Sequence, residues 1–414
     1  MKINKKAVAL PVLAIAVCGR GPAAAWAGES SAVAPVGGAV SSELAQTPLL
    51  APSLFPEMGP TLEANPNPAS FDLGPWIGRV YATGVLSGLG FWQSNRVLGN
   101  SAGYADISNG MVFVQNAAGP VQFVAQAGVY SIPALGEPYT RASDLNGMLW
   151  GPLPQAYVKF APNDALSVLI GRLPSLLGSE WDFTFQNDNI ERGLLWDQEN
   201  SVNQGIQVNY TIGPVDLSVS VNDGFFSSNF DWLTGSATYA INSDNWLTFS
   251  AGGNFGSNSV NTFRTPIAQN NSAIYDLVYD SAWGPWTLAP YVQYTHVPNN
   301  SALRSAGFTH DASTLGVAVN VAYSFNDNWK LGARGEYISA SGSLGDGAPD
   351  LLTGGPGANS WSITLTPSYQ YKIFFARAEF SYVGLNSTTP GFAFGKGGTS
   401  TSQVRALFET GFIF

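Results

Sequence analysis

The chain has 414 residues, of which 45% are hydrophobic and 13% aromatic but only 11% charged. Soluble domains carry about 25% charged residues, so this composition argues against a molecule wetted on all sides. With 28 acidic residues against 18 basic ones, the chain also lacks the basic footprint that nucleic-acid binding requires.

The first 27 residues read as an export signal. Lys2, Lys5 and Lys6 form a basic start, Ala7 to Cys18 an apolar core, and Ala25-Trp26-Ala27 an A-x-A cleavage site. Acylation at Cys18 is disfavoured, because Val17 stands where a small residue is wanted. Cys18 is the only cysteine, so the exported chain has none and no disulfide. The signal takes Lys2, Lys5, Lys6 and Arg20 with it and no acid, leaving 14 basic residues against 28 acidic. Residues 28–70 are rich in Ala, Pro and Ser without periodicity, as in Asn65-Pro66-Asn67-Pro68, and read as a flexible periplasmic leader.

From about Trp76 the pattern becomes one of alternating polarity. Trp361, Ile363, Leu365, Pro367, Tyr369 and Tyr371 share one face, while Ser362, Thr364, Thr366, Ser368, Gln370 and Lys372 share the other. A period of two means strand, and past the signal no run of about 18 apolar residues offers a spanning helix. The remaining way to cross a bilayer with every backbone group paired is a closed barrel. Strands are expected near 76–89, 107–117, 120–131, 154–161, 164–172, 203–212, 214–223, 233–242, 245–255, 272–283, 285–296, 313–326, 328–340, 359–371, 373–384 and 404–414. In the second of these, Asn109 to Gln115 supports either phase. The fifth needs a bulge if Arg172 is to face inward.

The connections alternate between short turns such as Gly213-Pro214, Gly284-Pro285 and Asn326-Asp327-Asn328, and long Gly-, Asn- and Ser-rich segments. Short periplasmic turns opposite long extracellular loops are the pattern of outer-membrane barrels. The expected fold is therefore all-β: a transmembrane antiparallel up-and-down β-barrel over residues 71–414, with about sixteen strands and both termini in the periplasm. Aromatics gather at both strand ends: Trp76, Phe160, Trp246, Trp283, Trp286, Phe325, Trp329 and Phe374 near the turns; Phe91, Trp92, Phe255, Tyr294, Tyr337 and Tyr382 near the loops. Such belts mark the two bilayer interfaces.

The chain ends Phe408-Glu409-Thr410-Gly411-Phe412-Ile413-Phe414, similar to the C-terminal signal that outer-membrane barrels present to their insertion machinery through a final Phe. The stretch Gly171-Arg172-Leu173 … Gly178-Ser179-Glu180 … Asn187-Asp188-Asn189-Ile190-Glu191-Arg192-Gly193-Leu194-Leu195-Trp196 resembles the putative β-barrel porin-2, or OmpL-like, family. That family typically shows Ser-Arg after its Asn-rich segment, and here Glu191 precedes Arg192. The resemblance, from about Trp76 to Phe414, implies a water-filled channel in the Gram-negative outer membrane for passive diffusion of small hydrophilic solutes or ions.

In such a channel, charged rings at a narrow section set selectivity. The segment 173–202 carries Glu180, Asp182, Asp188, Glu191, Arg192, Asp197 and Glu199. By analogy with the third loop of general porins it is a candidate constriction, and an ordinary solvated surface loop is the competing reading. By strand phase Arg79, Lys159, Arg172, Lys330, Arg334, Arg377 and Arg405 face the lumen, a basic wall that would set a transverse field against the acidic loop. Glu336, Glu379 and Glu409 share those faces, so simple pairing within the wall is the alternative.

Two other classes compete with a channel: a barrel lipase or protease, and a structural or adhesive barrel without an open path. A hydrolase needs a nucleophile or acids arranged with histidine. Neither histidine, His296 or His310, sits in such a motif, so no enzymatic activity is expected. No cofactor or metal is called for; Asp276 with Asp280 and Asp346 with Asp350 could be imagined on calcium but read more simply as solvated acids. Expected partners are outer-membrane lipid and lipopolysaccharide, the insertion machinery and small solutes, and a homo-oligomer is compatible with the fold.

Overall fold

The computed structural model describes residues 62–414 apart from Trp76 and Ala117. The expected signal (1–27) and most of the expected leader (28–70) lie outside these residues. A short strand β1 (Ala69–Asp72) precedes sixteen barrel strands: β2 (Arg79–Gln93), β3 (Gly103–Asn116), β4 (Val121–Tyr130), β5 (Gln155–Phe160), β6 (Leu166–Pro174), β7 (Val202–Ile212), β8 (Val215–Asn222), β9 (Trp232–Asn242), β10 (Asn245–Asn254), β11 (Ala273–Trp283), β12 (Trp286–Val297), β13 (Ala312–Ser324), β14 (Trp329–Ala340), β15 (Asn359–Tyr371), β16 (Phe374–Ser387) and β17 (Ser402–Ile413). Each of β2–β17 is antiparallel to its chain neighbours, and β17 pairs with β2 to close the barrel. All sixteen strands fall where the alternation places them. Closure leaves no exposed sheet edge, which is what lipid requires.

The period of two divides the faces. Leu86, Ile170, Ile206, Phe249, Leu277, Ile363, Phe380 and Phe408 are exposed on the outside. Ser218, Ser220, Thr234, Thr248, Thr364, Thr366 and Ser368 are buried on the inside. The tight hairpins follow local chemistry: Gly213 (φ 57) and Gly284 (φ 55) supply the positive φ that a two-residue turn of type II′ needs at its first position. The aromatic belts are largely as expected, with Trp283, Phe325 and Trp329 exposed at one end and Trp92, Phe255 and Tyr294 at the other. Phe91 instead points inward and is buried with Tyr139 and Ile190.

The ambiguous second strand has a structural cause. The β2–β3 register shifts at Ser108, where Ser87 pairs with Asn109 and Gly88 with Ile107. Beyond that bulge Met111 and Phe113 face inward and are buried, while Val112 is exposed outside. Both faces are apolar there because the inner one packs against protein rather than water.

Residues 62–72 approach the barrel from its turn end. β1 pairs with the first residues of β2, Asp72 opposite Arg79 and Ala69 opposite Ala82. It thus continues the column that β17 leaves at Ile413 opposite Val85. The Glu63 backbone exchanges two hydrogen bonds of 2.8 Å with the Gln370 side chain. Leu62 is buried among Val85, Phe113, Phe183, Phe185, Phe375 and Ile413. The described end of the leader stretch is therefore held against the barrel.

Candidate functional site: the loop inside the lumen

Between β6 and β7 the chain turns into the barrel. The resulting loop, 175–201, is held together first by its own side chains. Asn187 donates from Nδ2 to the carbonyls of Trp181 (3.0 Å) and Phe183 (2.9 Å), and its Oδ1 accepts from the Trp181 amide (2.8 Å). Arg192, fully buried, donates to the carbonyls of Trp181 (2.8 Å), Asn189 (2.7 Å) and Ile190 (3.0 Å). Arg192 thus serves as an internal staple of the loop.

The wall of β14, β16 and β17 then grips the loop at alternating bases and acids. Arg334 pairs with Glu180 of the loop and with Glu336 of its own strand (3.2 Å). Arg377 pairs with Glu409 across the β16–β17 ladder and donates to the loop carbonyls of Thr184 and Asn187, both at 2.8 Å. Arg405 pairs with Glu191 at 2.8 Å. The wall acids bind loop donors: Glu379 accepts from the amides of Ile190 and Glu191, and Glu409 from the Thr184 hydroxyl at 2.6 Å. Charge-assisted bonds of this kind are about twice as strong as neutral ones, and here every buried guanidinium meets carboxylate or carbonyl oxygen.

Apolar packing completes the dock. Phe183 and Phe185 stack with centroids 6.1 Å apart, and Phe185 meets Phe113 of β3 edge-on at 5.7 Å. Leu194 and Leu195 are buried with Tyr291, Ile338 and Phe394. Gly193 shows how close the contact is, since a Cβ there would lie 2.3 Å from Glu336 Oε1 and 2.5 Å from Glu180 Oε2. A second loop, after β4, also enters: Arg192 N bonds the Pro133 carbonyl (2.8 Å) and Leu135 N the Arg192 carbonyl (3.0 Å). Sequence reading missed this partner, whose only signal is the apolar Ile132-Pro133-Ala134-Leu135 in an otherwise polar connection.

The expected site residues therefore separate. Glu180, Glu191, Arg192, Arg334, Arg377 and Arg405 come together in one buried network. The three wall arginines do face inward, but they are almost solvent-free beneath the loop, so they meet the acidic loop directly rather than across water. Asp182 and Glu199 are buried in the loop, and Asp188 and Asp197 are half-buried. Burial pushes the Asp182 carboxyl up to about 7 and that of Asp188 up to about 6. Lys159 and Lys330 are half-buried on inward strand positions. Arg79 is exposed at the turn-side rim opposite Asp72. The register along β6 has no shift, so Arg172 alternates with the inward Ser167 and Leu169. It donates to the Trp150 (3.0 Å) and Leu153 carbonyls and lies 5.0 Å over the Phe226 ring, tying down the loop before β5.

The molecule is thus a closed sixteen-stranded barrel with a loop folded into its lumen. The family model described as "Putative beta-barrel porin-2, OmpL-like" matches residues 79–414. The chain belongs to that family.

Among solved structures, the porin is similar to OmpT, an outer membrane protein of Vibrio cholerae (TM-score 0.54, 12% identity, covering 83% of this chain and 99% of that one). It is also similar to the outer membrane channel DcaP of Acinetobacter baumannii (TM-score 0.54, 11% identity, 81% and 97% covered). A trimer form of OmpT aligns at TM-score 0.51 with 10% identity, covering 81% of this chain and 99% of that one. Likeness at these identities is one of fold. No curated protein matches the sequence.

The loop does not fill the porin evenly. It covers Val85, Phe113, Arg334, Arg377 and Arg405 of β2, β3, β14, β16 and β17. It also reaches β9, β11 and β12, where Leu177 is buried with Trp232 and Ile274, the Gly178 amide donates to Asp276 at 3.1 Å and Gln293 donates to the Leu195 carbonyl at 3.1 Å. The inner face of β7–β10 is instead a field of short polar side chains, among them Asn209, Ser218, Ser220, Thr234, Thr238 and Thr248. Among the described residues no three or more His, Cys, Asp or Glu are grouped to hold a metal ion. His296 occupies an outward position on β12, and His310 Nδ1 lies 2.5 Å from the Asp346 carbonyl oxygen.

Proposed function

We propose that this porin forms a water-filled channel for passive diffusion of small hydrophilic solutes, with loop 175–201 as its constriction. The observation that carries this reading is the loop's attachment inside a closed barrel by Arg334, Arg377 and Arg405. A loop so fixed narrows the lumen at a constant position, whereas a free loop would fluctuate. Solute would pass between the loop and the polar face of β7–β10, along Asn209, Ser218, Thr238 and Thr248. A channel is supported over a barrel hydrolase by the two imidazoles, His310 meeting the Asp346 carbonyl and His296 taking an outward strand position.

The remaining assignments follow from the barrel's build. The even count of barrel strands, which brings the start of β2 and the end of β17 to the short-turn side, supports a periplasmic location for both. The outward Phe408, Phe412 and Phe414 form an apolar stripe at the chain end for the insertion machinery, and the long loops meet lipopolysaccharide. A homo-oligomer is consistent with the trimer form of the OmpT relative. Planar-bilayer recording on purified protein tests the channel. Stable open steps are expected, and a tight membrane with correctly inserted protein would favour a structural barrel instead.

A further inference from the structure

We infer that the connection between β8 and β9, residues 223–231, is a stopper over the long-loop end of the polar path, latched down by Arg172 and Arg264 on Phe226. This rests on the channel reading above and goes beyond it by giving that channel a gate.

The polar wall is dry toward the long loops. Ser220, Asn222, Thr234 and Ser250 take inward positions on β8–β10, yet none is more than 2% exposed. Water in an open lumen would wet such side chains, so protein covers them here.

The inner layer of that cover is apolar. Phe225 is buried with Trp232 of β9, Ile274 of β11 and Leu177 of loop 175–201, and its ring meets the Trp232 indole edge-on at 5.5 Å. Gly224 lies so near the same indole that a Cβ would come within 2.3 Å of it. Thr265 Oγ1 donates to the Phe225 carbonyl at 2.7 Å, and Asn200 Nδ2 of the lumen loop to the Gly224 carbonyl at 3.2 Å. The stopper thus touches both the wall and the loop, the two sides between which solute would pass.

The outer layer is different in kind. Phe226 has φ 56 and Ser228 φ 63, left-handed values that a bulky side chain rarely takes and that surrounding contacts must enforce. The guanidinium carbons of Arg172 and Arg264 lie 5.0 and 5.4 Å from the Phe226 ring centre. Both arginines are tied to the connection before β5, Arg172 at the Trp150 and Leu153 carbonyls and Arg264 at the Leu149 carbonyl (3.2 Å). Arg264 comes from the β10–β11 connection, so its bond to Leu149 bridges the ends of β5–β10. It is exposed, and a cation over a ring or a hydrogen bond in contact with water is a weak tie.

A strained loop under weak ties has two positions open to it. Lowered, it buries Phe225 and Phe226. Lifted, it relaxes Phe226 and returns Ser220, Asn222, Thr234 and Ser250 to water. Opposed terms of this kind keep both positions populated, as a gate requires.

The test is single-channel recording on the reconstituted full-length protein and its variants, with heat-modifiable migration on gels reporting a folded barrel. The parent should alternate between a closed and an open level. Arg264→Ala removes both latch contacts and should raise the open fraction several-fold. Phe225→Ala with Phe226→Ala should abolish the closed level. In the converse arm, Leu149→Cys with Arg264→Cys is bridged by a bis-methanethiosulfonate; Cys18, the only native cysteine, lies in the expected export signal. Bridging should hold the current at the closed level, and dithiothreitol should release it. An open fraction equal to the parent's in the Arg264→Ala and double alanine variants would overturn the gate and leave the channel reading standing. So would a bridged protein that conducts like the unbridged one. Absence of open steps in every folded variant would overturn the channel reading itself.

Discussion

Arg377 and Glu409 are directly opposed Cα partners on β16 and β17, and their side chains form an ion pair that water does not reach. The pair does more than neutralise the wall. Arg377 holds two loop carbonyls and Glu409 the Thr184 hydroxyl, so both partners face the loop. Removing one member of a buried pair leaves an uncompensated charge and costs about 3–5 kcal/mol. Arg377→Met should accordingly lower the urea midpoint of the detergent-folded barrel and make single-channel current noisy as the loop loosens. Arg377→Met with Glu409→Leu should recover much of the stability but not the quiet current. Equal destabilisation by the single and double variants would argue against the pair.

Gly193 is a second point where the dock is tight. A methyl group there collides with the carboxylates of both Glu180 and Glu336, so it must push Glu180 away from Arg334. Overpacking of this kind costs about 1–3 kcal/mol. Gly193→Ala should expose loop 175–201 to protease in intact vesicles while leaving the strands folded. A protease pattern identical to the parent's would mean the loop absorbs the methyl without moving.

The barrel was legible in the sequence because each wall strand has lipid on one face, and the same alternation repeats at every strand. Legibility failed where the inner face also meets protein. Asn109 to Gln115 read equally in both phases because Met111 and Phe113 pack beneath Phe185. Strand phase turns the wall arginines inward, yet it contains no information on what covers them. Arg377 shares a strand face with Glu379 but pairs with Glu409, a choice made by the cross-strand register. Arg172 hinged on a bulge that β6 does not have. Whether an acidic loop lies outside or inside is decided by tertiary partners, and the entry of Ala134 and Leu135 beside it has almost no sequence signature.

Leu62 gives a prediction for the turn-side mouth of the barrel. It sits inside the turn end of the barrel against Phe183 and Phe185, with Glu63 tethered to Gln370. Burying a leucine side chain is worth about 1.5–3 kcal/mol, enough to keep this segment seated most of the time. A variant with residues 28–72 deleted should insert normally and conduct more per open step. Leu62→Asp, which cannot rest in the aromatic cluster, should show the same increase in part. Unchanged conductance in the truncated protein would place the segment outside the permeation path.

Asp188 supplies the pH dependence. Its carboxyl is half-buried in the loop, faced by Lys330 from β14, Arg377 from β16 and Glu180 from the loop itself, and desolvation pushes it up to about 6. The folded state therefore holds this proton more tightly than the unfolded chain does. Its contribution to stability is greatest at low pH and declines as pH rises from the ordinary carboxylate range through about 6. The urea midpoint of the detergent-folded barrel should thus fall as pH is raised through about 6. Asp188→Asn should flatten that step at a level near the acid limit of the parent. A step of the same size in the Asn variant would assign the titration to another group.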